Sequence, residues 1–455
     1  MLTDTIAAIA TPIGGEGGIG VVRISGPDSL RIIKAIFKHS DQEPLKSHKL
    51  HYGWIIENSK PVDEVFVSYM ANPRSYTGED VIEVSCHGGG VVLKSVLELA
   101  IKAGARLAGR GEFTKRAFLN GKLDLAQAEA VIELIRAKTK EGGLLAASQL
   151  KGSLSSKIRE ARDPLVLLLA EIEASIDFPD EISDIDTKKA KKTLDGALDS
   201  VNKLIDTAHM GKIFREGISI AIIGKPNVGK SSLLNALVRE ERAIVTDEPG
   251  TTRDIIEETI NIKGIPAKVL DTAGIRHSDS KTEKLGIDRA IKAIDQADFV
   301  LLIIDISQPL TSEDIDLLAR TTDSRRIVVL NKSDLAHKLK SKDITSKAGC
   351  VQSVEVSALK GDGVGELEKA IFDSVISNKV VAENADVMVN LRQKEALIRA
   401  GECIKRAIQS AEKRMQADFV SIDLKGAIAA LGEVTGEVVS DEVIDRIFEE
   451  FCVGK

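Results

Sequence analysis

Between an apolar run, Ile218 to Ile223, and the segment Ser232-Leu233-Leu234-Asn235-Ala236-Leu237 stands Gly224-Lys225-Pro226-Asn227-Val228-Gly229-Lys230-Ser231. The run reads as a buried strand and the segment as the first turns of a helix. Strand, GxxxxGK[ST] and helix in that order predict a phosphate-binding loop. Its glycines let backbone N–H groups converge on phosphate oxygens without obstruction from a Cβ. The helix N-terminus adds partial positive charge. Lys230 supplies a full charge for the outer phosphates, and the Ser231 hydroxyl can ligate Mg²⁺. Val228, Gly229 and Ser232 complete the cradle.

From Gly217 to about Ser377 strands and helices alternate, which predicts a doubly wound sheet. The expected strands are Ile218–Ile223, Glu257–Ile262, Lys268–Leu270, Phe299–Asp305, Arg326–Leu330 and Val354–Val356. Open sheets of this class place ligands at the loops after their strands. After one comes Asp271-Thr272-Ala273-Gly274, whose carboxylate can hold Mg²⁺ through a water and whose glycine N–H can sense a γ-phosphate. After another comes Asn331-Lys332-Ser333-Asp334. Asp334 can accept both N–H donors of a guanine edge, a pair adenine lacks, and an unpaired buried carboxylate makes the wrong base costly. Ser357-Ala358-Leu359 can present a backbone N–H to the guanine carbonyl. The four loops in this order point to a GTP-binding hydrolase.

Thr246-Asp247-Glu248-Pro249-Gly250-Thr251-Thr252-Arg253-Asp254 reads as a switch, with Thr252 completing the Mg²⁺ shell. Ile275 follows the Asp271–Gly274 loop, where Ras-type enzymes place a water-orienting glutamine. Another group must therefore accelerate hydrolysis. Asn227 offers a neutral oxygen for a monovalent cation, which could neutralise developing charge. Glu283 could orient the water. A polar surface residue is the plain alternative at both positions.

A chain of 455 residues suggests about three domains. A net charge of −7 excludes a protein that coats nucleic acid by bulk charge, while leaving room for a local basic patch. Aromatics at 3% exclude an extensive base-stacking platform. Cys86, Cys350, Cys403 and Cys452 are scattered, without zinc-type spacing or a disulfide framework. Neither a secretory signal nor a membrane-length apolar run is visible, so a soluble cytoplasmic protein without a membrane partner is expected.

The first third reads as an α+β unit of about 120 residues. Strands are expected at Thr5–Ala10, Ile19–Ile24, Glu64–Met70 and Val81–Cys86, and helices at Asp28–Phe37 and Val91–Ala103. Arg23, followed by Ser25-Gly26, can fork onto a carboxylate or a planar ring, although a strand-end surface arginine fits the residues better. Cys86 and His87 are adjacent on a strand and point to opposite faces, which favours packing and turn formation over a catalytic pair. Gly111 to Asp124 is dense in Lys and Arg; an anion contact and a solvated helix face fit it equally. Beyond lie amphipathic helices at Leu125–Ile135, Leu144–Ile176 (with a kink or break at Pro164) and Lys188–Ala208. Others follow at Asn390–Met415, Phe419–Leu431 and Asp441–Phe451. One helical bundle built from both sides of an inserted nucleotide domain is the economical reading.

Asp4-Thr5-Ile6-Ala7-Ala8, Arg23-Ile24-Ser25-Gly26, Tyr76-Thr77-Gly78-Glu79-Asp80, Arg116-Ala117-Phe118-Leu119-Asn120-Gly121-Lys122 and Phe451-Cys452-Val453-Gly454-Lys455, with the nucleotide loops, make the whole chain resemble the MnmE (TrmE) family of tRNA modification GTPases. The resemblance implies a tetrahydrofolate-binding and dimerisation domain at 1–120, a helical domain at 121–213 and 378–455, and a Ras-like GTPase domain at 214–377. It implies a formyl- or methylene-tetrahydrofolate pocket at Arg23, Glu83, Lys122 and Lys455. It also implies a modification-linked thiol at Cys452, a potassium site at Asn227, Thr246, Glu248 and Thr251, and water positioning by Glu283. The implied partners are a second copy, the FAD-dependent protein MnmG, and tRNA. The implied activity is potassium-dependent GTP hydrolysis driving wobble-uridine modification; the alternative is a regulatory GTPase switch in ribosome assembly without folate chemistry. Glu248-Pro249 and Val453 depart slightly from the family's usual residues.

Overall fold

A computed structural model of the chain describes residues 4–12, 17–40, 44–178, 186–240, 258–270, 294–339, 352–376, 387–413 and 417–455. The chain divides into two compact units. The first comprises Met1–Ile132, Leu150–Leu198 and Ala396–Lys455, and the second Glu133–Gln149 and Asp199–Glu395.

The first unit holds a seven-stranded sheet. Its strands are β1 (Ile6–Ile9), β2 (Gly17–Ser25), β3 (Phe37–His39), β4 (Lys49–Glu57), β5 (Lys60–Met70), β6 (Val81–Gly88) and β7 (Arg106–Leu107). They stand in the order β3-β4-β5-β6-β2-β1-β7. Every pairing is antiparallel except β1 with β7. Helices α1 (Ser29–Ile36) and α2 (Gly90–Lys102) cover one face, with Ile32, Ile33, Leu93 and Val96 packed on Val22, Ile24, Val67 and Val84. Strand β4 escapes the sequence reading because its alternation is inverted. Leu50, Tyr52 and Trp54 are exposed, while His51, Gly53 and Ile55 face inward.

Helices α3 (Glu112–Leu119), α4 (Leu125–Arg136), α5 (Lys140–Leu150), α6 (Ser153–Asp177) and α7 (Thr187–Glu216) follow. The expected kink at Pro164 is not where the chain breaks. The break falls at Gly152, whose φ of 99° no helical residue adopts, and α6 runs unbroken through Pro164.

The second unit is a Ras-like sheet of six strands. They are β8 (Ile218–Ile223), β9 (Glu258–Ile262), β10 (Ile265–Leu270), β11 (Phe299–Asp305), β12 (Arg326–Asn331) and β13 (Ser353–Val356). The order is β13-β12-β11-β8-β10-β9, parallel except for β9 against β10. Helices α8 (Lys230–Glu240), α9 (Ser312–Arg320) and α10 (Val364–Val375) belong to this unit, and apolar cores lie on both faces of the sheet. Two-sided burial explains why β8 and β11 are continuous apolar runs, legible from sequence.

The chain then returns through α11 (Leu391–Glu412), α12 (Ala417–Thr435) and α13 (Asp441–Glu449). In the first unit α12 lies along α6, joined by the Lys425–Glu173 ion pair at 2.6 Å. Ile444, Phe448 and Phe451 pack on Leu125, Ala128 and Val131 of α4.

Candidate functional site

Two constellations stand out, one in each unit. In the second unit the parallel order delivers the ends of β8, β12 and β13 to one edge. The loop after β8 bends through left-handed conformations at Asn227 (φ 62°) and Gly229 (φ 100°). A Cβ on Gly229 would lie 2.2 Å from Asn331 Nδ2, so only glycine fits there. Lys230 Nζ donates to the carbonyls of Gly224 (2.8 Å) and Lys225 (2.7 Å). Burial lowers the pKa of this ammonium. Ser231 and Ser232 open α8 on its exposed side, and Val228 turns inward.

Asn331 is buried where three loops meet. Its Nδ2 donates to Val228 O at 2.8 Å, and its Oδ1 accepts from Ala358 N at 3.0 Å. Asp334 accepts from Ser357 Oγ at 2.8 Å, the main cause of its lowered pKa. Lys332 lies in the left-handed region (φ 67°), and its ammonium pairs with Asp305 Oδ2 at 2.6 Å. No motif announces Asp305. Leu359 is exposed. Thr246, Asp247, Glu248, Pro249, Gly250, Thr251, Thr252, Asp271, Thr272, Ala273, Gly274 and Glu283 lie outside the described residues.

In the first unit the β2–β6 register sets Arg23 opposite Glu83. Arg23 is not the surface arginine that its local sequence favours, for its side chain is 13% exposed. Its Nε and Nη2 lie 2.8 and 2.7 Å from Glu83 Oε1, and its guanidinium sits 5.3 and 5.5 Å from the ring centres of Tyr76 and Phe113. Thr114 Oγ1 and Tyr76 OH share a hydrogen bond of 2.8 Å that fixes the Tyr76 ring. Sequence reasoning missed this aromatic flank, since Tyr76 and Phe113 are remote in the chain.

The C-terminal tail reaches the same place. Gly111 N donates to Cys452 O at 3.3 Å, Phe113 N to Lys455 O at 3.2 Å, and Arg23 Nη1 to Gly454 O at 3.5 Å. Burial and the neighbouring Arg23 charge lower the Lys455 pKa, and Glu83 partly offsets them. Cys452 is exposed. Lys122 is not drawn in: its Nζ donates to Pro73 O at 3.1 Å, and among the described residues no bond joins it to Arg23, Glu83 or Lys455. It borders an open cavity of about 350 Å³ with Phe118, Asp124, Gln127 and Arg159.

Within the basic stretch after Gly111, Lys115 and Arg116 are already engaged by carboxylates. Arg116 is fully buried, and its guanidinium meets Asp4 Oδ1 (2.9 Å), Glu112 Oε1 (3.1 Å) and Glu79 Oε2 (3.2 Å). Lys115 pairs with Asp445. Cys86 is buried, and burial together with the Asp63 charge pushes its thiol up to about 12. His87 Nδ1 is instead 2.6 Å from Asp63 Oδ1.

Residues 5–122 match the family model described as the GTP-binding protein TrmE N-terminus, and residues 125–452 match that of the MnmE helical domain. The tRNA modification GTPase MnmE of Alkaliphilus oremlandii is 47% identical over 462 residues, covering 100% of both chains. That of Thermoanaerobacter sp. is 48% identical over 463 residues, again covering 100% of both. Among solved structures, the G domain of the T. maritima FeoB iron transporter is 26% identical. It covers 34% of this chain and 98% of its own, with a TM-score of 0.27, and the fold assignment rests on the strand order above instead.

Proposed function

This chain belongs to the MnmE family of tRNA modification GTPases, and from that premise we propose a potassium-activated GTPase that acts with MnmG on the wobble uridine of certain tRNAs. It adds a carboxymethylaminomethyl or aminomethyl group, using a tetrahydrofolate one-carbon unit. The observation that carries the GTPase reading is Asn331, which ties the phosphate loop to the Ser357-Ala358 loop around one buried side chain. Asp334, held ionised beside it, is the acceptor for the two N–H donors of guanine. Lys230 and the loop amides would bind the phosphates, and Ser231, Thr252 and Asp271 are the residues that would hold a Mg²⁺, which supplies positive charge against them.

The residues present suit the other groups in kind. Asn227 is exposed at the loop tip with a neutral amide oxygen, the hard ligand an alkali cation takes. Potassium supplies positive charge against the charge developing on the phosphates. Arg23, oriented by Glu83 and flanked by two rings, suits the flat, polar-edged ring system of a folate. The proposed domains are 1–120, 121–213, 214–377 and 378–455, with a cytoplasmic homodimer formed through the first.

Three measurements test this. GTP hydrolysis is compared in KCl and NaCl at equal ionic strength, and equal rates reject the potassium role of Asn227. Hydrolysis and wobble-uridine mass spectrometry are then run together on Cys452→Ser. Hydrolysis kept with modification lost is expected; modification retained removes Cys452 from the chemistry. Absence of tritiated folate binding would favour a purely regulatory switch.

A further inference from the structure

The second residue of the phosphate loop, Lys225, turns its side chain away from the cradle. Its Nζ lies 2.7 Å from Asp314 Oδ2 and donates to Thr311 Oγ1 at 2.9 Å. Asp314 is 2% exposed and belongs to a capping box: its Oδ2 also accepts from Thr311 N and Thr311 Oγ1, each at 2.9 Å. The lysine is thus tied to the first turn of α9, which lies 86 residues further along the chain.

A carboxylate so placed does not need Lys225 for the helix cap. Two neutral donors of the cap already meet it. What Lys225 adds is a charge-assisted tie to a carboxylate that is itself buried, worth more than a pair exposed at both ends.

The loop is then held at both shoulders. Asn331 grips Val228 O on one side, and Asp314 grips Lys225 on the other. Between them lie Pro226 and Asn227, both exposed, with Asn227 in the left-handed region. Three backbone units between two anchors leave few conformations, so the amides that meet phosphate are fixed before nucleotide arrives.

We propose that Lys225 is a positioning residue for the nucleotide, a tie from the phosphate loop to the first turn of α9 that sets how fast nucleotide leaves. The proposal needs only nucleotide binding and holds whichever cation serves the reaction. Freeing the loop shoulder restores conformational freedom that binding must remove again. The affinity loss therefore falls on the dissociation rate.

The test is a double-mutant cycle on the full chain with Lys225→Met and Asp314→Asn. Dissociation of a fluorescent GDP analogue is timed by stopped flow, and amide exchange is followed across residues 224–229. Each single variant is expected to release the analogue about tenfold faster, as loss of one charge-assisted hydrogen bond implies. The double variant is expected to be no faster than the singles, and Lys225→Arg to restore the slow rate. Exchange at 224–229 rises while the thermal midpoint stays within about 2 °C. Unchanged release in Lys225→Met overturns the proposal. So do additive effects in the double variant, or faster release matched by a general fall in the midpoint, which would mark a merely structural pair. Absence of GDP binding in the unaltered chain would sink the GTPase reading itself, a result the variants alone cannot produce.

Discussion

Asn331 and Val228, 103 residues apart in sequence, are joined by a hydrogen bond of 2.8 Å from the Asn331 amide nitrogen to the Val228 carbonyl. The same side chain accepts from Ala358 N. The loop after β8 and the loop after β13 are therefore one mechanical assembly, and under the proposed function so are phosphate and base recognition: a shift in either loop is felt through a buried amide.

Replacing that amide tests the linkage. Asn331→Ala strands the Val228 carbonyl and the Ala358 N–H, each at a cost of about 1–3 kcal/mol. GDP affinity is expected to fall by a factor of ten or more, roughly the equivalent of one such loss. Titration of a fluorescent GDP analogue measures it, and a loss below about twofold refutes the assembly.

Specificity should follow Asp334. An amide there offers one acceptor and one donor in place of two acceptors, which suits xanthine better than guanine. Asp334→Asn is expected to weaken GTP binding about a hundredfold or more and to strengthen XTP binding. Competition between the two nucleotides gives the answer, and unchanged preference removes Asp334 from the base site.

Acid sensitivity of the first unit should trace to the ion cluster of Asp4 and Glu112 with Arg106 and Arg116. Burial raises the Asp4 and Glu112 pKa values most, but Arg106 first, then Arg116 and, at Glu112, the Gly109 N–H outweigh it and hold each carboxyl below its ordinary range. A carboxyl depressed in the folded state stabilises fully above its unfolded pKa of about 4 and loses that contribution as pH falls through the folded value. Urea unfolding followed by Trp54, the one tryptophan and a residue of β4, should weaken below about pH 4. Arg116→Met should cost about 3–5 kcal/mol at pH 7, because it removes the buried cation that Asp4, Glu79 and Glu112 share, and Arg106 stays beside only Asp4 and Glu112. The remaining acid dependence should be shallower than in the parent. A cost under about 1 kcal/mol would contradict this account.

The tail is set by Gly454. Its φ is 97°, and a Cβ there would stand 2.3 Å from the Ile9 carbonyl oxygen. Gly454→Val should release the tail, because a β-branched residue resists that conformation and the clash is with backbone. Amide exchange at Gly111 and Phe113, whose N–H groups donate to the tail, should accelerate at least about tenfold. GTP hydrolysis should stay within about twofold, since the phosphate loop is untouched. Protected amides in the variant would show the tail held by other means.

The phosphate loop, the Asn331-Lys332-Ser333-Asp334 and Ser357-Ala358-Leu359 loops, and the continuous apolar strands β8 and β11 were readable in the sequence. Each is a local pattern, a few residues whose spacing a single strand end or turn imposes. A strand buried on both faces needs only apolar side chains, and a phosphate cradle needs only glycines and a lysine at fixed offsets. Partners fixed by register or packing were not readable. Nothing near Arg23 announces Glu83, 60 residues away, because the β2–β6 register pairs them. The same holds for Lys225 with Asp314 and for Arg116 with Asp4 and Glu79. It holds also for β4, where Leu50, Tyr52 and Trp54 face outward while His51 and Gly53 face inward. Sequence alone determined which chemistry each loop can perform, since that depends on residue type and local spacing. Tertiary structure decided which distant charges meet out of water, because only the folded chain sets the distance and burial that give an ion pair its strength.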